Sequence, residues 1–205
     1  LRANRGANAS NFQSYALNGT VTVTGTSASS ITTQTNAAAG DGIHLANNAA
    51  LNRTFDVADV TGNTNVDLTV SARLINAANG SQAAGITKEG AGLMRLSGSN
   101  SFTGSTVVNN GTLELATTAG SAAGGTTSVT VGSGATLLIS TSSQVNDSAT
   151  VTLSGGTIRR GAGVSEVFSN LNVTSASTIN YGGISEGSFL QFGTVTGGAN
   201  LTISN

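Results

Sequence analysis

Residues 85–115 read Gly-Ile-Thr-Lys-Glu-Gly-Ala-Gly-Leu-Met-Arg-Leu-Ser-Gly-Ser-Asn-Ser-Phe-Thr-Gly-Ser-Thr-Val-Val-Asn-Asn-Gly-Thr-Leu-Glu-Leu. Short runs of Ile, Leu, Val and Thr alternate with Gly, Ser and Asn. Each run is too short for a helix and is closed by residues that turn the chain. Outward from this stretch the same grammar repeats. Val107, Val129, Val151, Val173 and Val195 recur at a constant spacing of 22, and four of them sit in a Thr/Ser/Asn-Val-Thr setting. A second series, Leu113, Leu137, Ile158, Ile179 and Leu201, runs beside it at spacings of 24, 21, 21 and 22. Two interleaved ladders of one period mark a solenoid.

The period has a simple physical meaning. A turn of two or three short strands with their corners takes roughly 20 residues or more, and the next turn stacks about 4.8 Å above it. A fixed period then sets each apolar residue over its predecessor, so Val stacks on Val inside the coil. No single turn buries its apolar face alone, and the stack forms together. The expected fold is all-β: a parallel β-helix of about 22 residues per turn, with the two ladders as its core.

Residues 85–115 also resemble the autotransporter-associated β-strand repeat of bacterial surface proteins. Lys88, Gly90, Gly92, Leu96, Ser97, Gly98, Asn100, Gly104, Thr106, Val108, Gly111 and Leu113 stand at the repeat's positions. Ile86 and Met94 replace Leu, and Phe102 replaces the usual Tyr. The strict resemblance covers 31 of the 205 residues. It implies a right-handed β-helix outside a bacterium, at the cell surface or secreted. It implies a scaffold, with no catalytic residues, metal or cofactor to transfer.

Composition agrees with a thin column rather than a globular core. Hydrophobic residues are 38% of the chain, but aromatics are only 4% and Trp is absent. Charged residues are 8%, against about 25% in ordinary soluble domains. No apolar run approaches the roughly 20 residues of a membrane helix, so no membrane insertion by this segment is expected. A strict period argues against disorder. The net charge of −1 gives no electrostatic basis for binding nucleic acid. The absence of Cys excludes disulfides and thiolate metal sites. The chain opens on Leu1 with no signal peptide, which reads as a processed or excised piece of an exported protein.

The chain divides into an extension, residues 1–18, and a solenoid, residues 19–205. The solenoid has irregular turns over 19–84 and regular repeats over 85–205. The extension carries Phe12, Tyr15 and Leu17. It reads as a cap, a loose tail, or a strand that pairs with a neighbouring subunit. Loops are expected at 46–51 and 76–84, with a short helix admissible in the second.

Chemistry-bearing residues are sparse. Asp41, His44, Asp56, Asp59 and Asp67 cluster in the first half, and Glu89 and Glu114 sit in the repeat. β-Helical polysaccharide-degrading enzymes use acidic clusters on one face. Here nine carboxylates in 205 residues make some clustering expected, and a solvated surface is the default. His44, the single histidine, supports neither a triad nor a multi-histidine metal site. Lys88 is the single lysine, and a repeat-type Lys explains it. Arg159-Arg160 is the densest basic spot; one faces outward, the other sits near a corner, and a salt link to a neighbouring turn or subunit is expected. Tyr181, Phe189 and Phe192 are candidates for a glycan face, though filling the last turns explains them more simply.

Three functions follow in order. The first is a non-enzymatic extracellular structural protein, a fibre or matrix subunit that associates end to end with copies of itself. The second is an adhesin passenger that binds glycans or host surfaces. The third is a polysaccharide-degrading enzyme. No cofactor or metal is expected.

Overall fold

The computed structural model describes residues 2–3, 15–33, 42–47, 49–78, 82–183 and 185–205. Phe12 and Asp41 lie outside them. The chain is a parallel β-solenoid of about seven turns with roughly 24 residues per turn, and the described residues form no helix. The early turns each carry three strands: β1 (Arg2–Ala3), β2 (Tyr15–Ala16) and β3 (Val21–Val23); β4 (Ser29–Thr33), β5 (Ile43–His44) and β6 (Asn52–Val57); β7 (Leu68–Val70), β8 (Leu74–Ile75) and β9 (Gly85–Glu89). The later turns keep two: β10 (Leu93–Leu96) and β11 (Thr106–Val108), β12 (Thr112–Leu115) and β13 (Ser128–Val131), β14 (Thr136–Ile139) and β15 (Thr150–Ser154), β16 (Thr157–Arg160) and β17 (Glu166–Ser175), β18 (Ser177–Asn180) and β19 (Leu190–Gly197), then β20 (Leu201–Ser204).

Stacking these turns builds three faces. The first is a nine-stranded sheet, β1-β4-β7-β10-β12-β14-β16-β18-β20. The second is eight-stranded, β19-β17-β15-β13-β11-β9-β6-β3, and the third is β2-β5-β8. Beyond β8 the third side continues as single contacts. Ser101 N–H donates to the Leu74 carbonyl, and Ala123 pairs with Val145.

Alternation sets the core. Along β13 and β14 every second residue is buried, so Val129, Val131, Leu137 and Ile139 point in while Ser128, Thr130, Thr136 and Leu138 point out. The column Leu68, Met94, Leu113, Leu137, Ile158, Ile179 is in register along the first face, and these side chains are buried. Phe55, Phe102 and Phe168 are fully buried, and Phe168 stacks on Phe192 at 5.3 Å between centroids.

The valine ladder needs correction. Only Val129 and Val151 are partners. Val107 is half-buried and lies opposite Thr130; Thr106 and Val108 are the inward pair. Val173 lies opposite Leu153, and Val195 opposite Leu171. The reason is turn length. On the second face Lys88 pairs with Val108, Val108 with Val131, Val131 with Leu153, Leu153 with Val173, and Val173 with Gly197. Partners along this column are therefore unevenly spaced in sequence, and a constant step of 22 is only their average. A slip of one residue turns a side chain to the other face, as at Val107; a slip of two keeps the face and changes the partner. Leu201 is likewise displaced: it lies opposite Ser177, and Ile203 takes the place over Ile179.

The segment before Gly85 forms longer turns of the same coil. Val21 pairs with Phe55 and Phe55 with Lys88, whereas Lys88 already meets its next partner at Val108. The extension contributes strands to its own chain. Arg2–Ala3 pairs with Thr32–Thr33, Tyr15–Ala16 pairs with Ile43–His44, and Leu17 donates its N–H to the His44 carbonyl and packs on the core.

Candidate functional site

A groove of about 850 Å³ runs along the outer side of the nine-stranded face. Its floor is a column of threonines in register, Thr112, Thr136, Thr157 and Thr178, one per turn. Alternation puts them outside, and β-branching suits them to a half-exposed strand. Their hydroxyls make no hydrogen bond to other described residues. Leu93 and Leu138 add apolar surface, and Arg159 and Asn180 line the far end.

The loop 58–66 closes the near end of the groove. Asp67 fixes it. One carboxylate oxygen accepts the N–H groups of Val60 (3.0 Å) and Thr61 (2.9 Å) and the Thr61 hydroxyl; the other accepts the Leu93 N–H at 2.7 Å. Burial pushes this carboxyl up, but the hydrogen bonds outweigh it and hold it below the usual range. Asp59 accepts the Gly62 N–H. Both acids line the groove, and both are engaged in shaping its wall.

The other sequence-nominated acids cross-link turns. Glu89 accepts from the side-chain amides of Asn109 and Asn110, at 2.6 and 2.7 Å. Glu114 accepts from Arg95 and Ser140, both at 2.7 Å. Asp56 is exposed on β6 opposite Glu89. His44 Nδ1 lies 2.8 Å from the Asn76 carbonyl oxygen. Among the described residues no group of three His, Cys, Asp or Glu side chains is arranged to hold a metal.

Sequence reasoning missed the corners. Asn100 is buried; its side-chain oxygen accepts the Leu74 N–H and its amide donates to the Ala122 carbonyl, which ties three successive turns. Gln144 does the same for Thr117, and Glu166 accepts the N–H groups of Gln144 (2.6 Å) and Val145 (3.2 Å). Three buried cations also bind corner carbonyls. Arg53 Nε reaches Leu45, Lys88 Nζ reaches Glu89, Gly90 and Asn110, and Arg160 Nη1 reaches Gly161 and Val164. The polar signal was visible at Asn100 and Lys88 as repeat positions. Nothing local marked Gln144 or Glu166 as buried.

Glu166 gives a pH dependence. Burial raises its carboxyl from 4.5 to about 7, against the pull of the backbone donors, and Asp147 adds to the rise. Between about pH 4.5 and 7 the folded chain binds a proton that the unfolded chain has released. Stability therefore falls as pH rises through that window, and the loss is complete above about 7. At about 1.36 kcal/mol per pH unit the ceiling is about 3 kcal/mol, and partial solvation reduces it. Thermal unfolding from pH 4.5 to 8 should show this slope, and Glu166→Gln should flatten it. An unchanged slope in the variant would assign the dependence to other groups.

The fold defines the class: a parallel β-solenoid whose polar outer faces and corner staples are repeated turn by turn. Residues 86–115 match the family model of the passenger-associated-transport-repeat, so this part of the chain carries a repeat of autotransporter passenger type. That match implies a secreted or surface-exposed protein. Comparison with curated proteins and with solved structures gives no significant match. The structure explains the repeat's residues. Lys88 and Asn100 staple corners, Phe102 and Leu113 are buried, and Gly90 and Gly111 turn with φ of 76° and 63°.

Proposed function

We propose that the chain is a non-enzymatic rod of a bacterial surface or secreted protein, and that copies of it stack end to end. The observation that carries this reading is the uninterrupted parallel ladder, which a further turn of strand, whether of this chain or of a second copy, extends in the same sense. Val195 and Ile203 continue columns that are buried one turn below, at Leu171 and Ile179, yet they are 58% and 57% exposed. β19 and β20 each have one unpaired ladder edge, and such an edge templates addition of another strand. β3 and β1 end the same two sheets on the opposite side. Parallel strands of one sense at both ends suit a head-to-tail contact, which does not close and so gives filaments.

Negative-stain microscopy of the purified 205-residue chain, at rising concentration, tests it. Uniform filaments are expected, and Val195→Lys with Ile203→Lys should abolish them without lowering the melting temperature. Single short rods at high concentration would overturn stacking. They would promote the second reading, an adhesin that lays a glycan along the threonine groove. For the third reading, a polysaccharide-degrading enzyme, no observation speaks: Asp67, Glu89 and Glu114 are engaged in shaping and cross-linking turns.

A further inference from the structure

The outer sides of the two long sheets differ. On the nine-stranded face the outward column is Arg95, Glu114, Leu138 and Arg159, long or charged side chains in register. Arg95 and Glu114 pair at 2.7 Å, and the expected ion pair from Arg159 or Arg160 does not form among the described residues. On the eight-stranded face two outward columns run up the coil. Thr87, Val107, Thr130, Thr152 and Asn172 form the first, partner over partner. Ser128, Thr150 and Asn170 form the second, two residues away along the same strands. None of these side chains is charged or aromatic.

The ladder fixes their grid. Partners on adjacent strands stand about 4.8 Å apart, and positions two apart on one strand stand about 6.7 Å apart. The register shift between β15 and β17 falls at Leu153–Ser154, beyond Thr152, and so leaves the grid intact. Alternation buries the residues between the columns and keeps the column residues themselves half-buried. β-Branching holds Thr and Val to few rotamers. The hydroxyls of Ser128, Thr130, Thr150 and Thr152 make no hydrogen bond to other described residues. Each therefore keeps a donor and two acceptor sites for water.

These properties restrict what lies against the face. Four steps by one step span on the order of 100 Å², far short of the roughly 800 Å² a side of a stable protein interface. Without charge the columns have no hold on nucleic acid or anionic lipid. Without an aromatic ring they have nothing to lay against a sugar. A neutral solid with a matching repeat remains, and both spacings are close to the oxygen repeats on the prism face of hexagonal ice. We propose that this face binds ice. Waters held by the hydroxyls, and packed around the methyl groups of Thr and Val107, take up the protein's grid and continue into the crystal. The nine-stranded face is unsuited, because Arg95, Glu114 and Arg159 orient water around charges. The site lies on the side of the coil and uses neither end, so it stands whether or not copies stack.

Slow growth of an ice shell in a dilute solution of the 205-residue chain, with serum albumin as a marker, tests the assignment. The chain should enter the ice while the albumin is pushed ahead of the front. Single ice crystals held just below the melting point should stop growing and become faceted. Thr152→Tyr sets a ring in the middle of the grid and should abolish both effects. Thr157→Tyr sets the same ring on the other sheet and should leave both unchanged. Tyr suits a half-buried strand position, and circular dichroism checks that both variants fold. Exclusion of the parent chain along with the albumin, retention of both effects in Thr152→Tyr, or equal loss in the two variants would each overturn the proposal.

Discussion

Lys88→Met lowers the stability of the solenoid by about 3 kcal/mol at neutral pH, or about 6–12 °C in melting temperature for a chain of this size. Two effects compete. Lys88 occupies a core column between Phe55 and Val108 and is fully buried, and desolvation lowers its pKa from 10.5 to about 8 despite Asp56, Asp67 and Glu89 nearby. Methionine has similar length and removes that desolvation cost. It also removes the donor to three carbonyls. Nζ lies 2.7 Å from the Glu89 and Gly90 oxygens and 3.3 Å from that of Asn110, one turn on. The Gly90 and Asn110 carbonyls accept no backbone N–H from described residues. A charge-assisted hydrogen bond contributes roughly 1.5–3 kcal/mol, and two of these carbonyls lose their donor, so the loss outweighs the single relief.

The same lysine carries a pH signature of its own. Its folded pKa is depressed, so between about pH 8 and 10.5 the unfolded chain holds the extra proton and stability rises with pH. Lys88→Met should remove that alkaline rise as well as lower the stability. A variant as stable as the parent would show that the carbonyls find other donors and that the amine is merely tolerated.

How far the sequence reached depended on the range of the signal. The inward–outward alternation of Ser128–Val131 or Thr136–Ile139 is local, so strands and their buried faces were legible. The spacing between turns is not local. It is the sum of corner lengths, and a corner that gains or loses a residue leaves no mark on its flanking strands. A fixed step of 22 therefore matched Val129 to Val151 and missed Leu171, which pairs with Val151 across a shorter turn. Buried polar groups were harder still. Gln144 and Glu166 sit in Ser/Asn-rich stretches that read as surface, and their burial follows from hydrogen bonds to the turns stacked on either side. The groove had the same obstacle, because its wall, 58–66, and its floor come from different turns.

That dependence on vertical stacking also explains why glycine matters at positions with ordinary backbone angles. Gly104→Ala is expected to cost about 3–4 kcal/mol or to prevent folding. Gly104 donates its N–H to the Ala84 carbonyl at 2.9 Å, so the two corners lie directly on one another. A Cβ at Gly104 would run into the backbone of Ala84 and Gly85, and a Cβ at Gly85 would run into that of Ser105. No rotamer change relieves a clash with backbone, so the cost falls at or above the roughly 1–3 kcal/mol usual for overpacking. Neither glycine has a positive φ, which separates this effect from conformational strain. Two controls isolate it. Gly134 has a φ of 73° and open space around its Cβ position, so Gly134→Ala should cost only about 1–2 kcal/mol of left-handed strain. Gly198 has open space and no positive φ, so Gly198→Ala should be neutral within about 0.5 kcal/mol. Denaturant unfolding of the three variants should give that order. If Gly104→Ala proved as mild as Gly198→Ala, the turns would have room to separate. Close stacking of the corners, and with it the case that small residues there set the rise of the coil, would have to be abandoned.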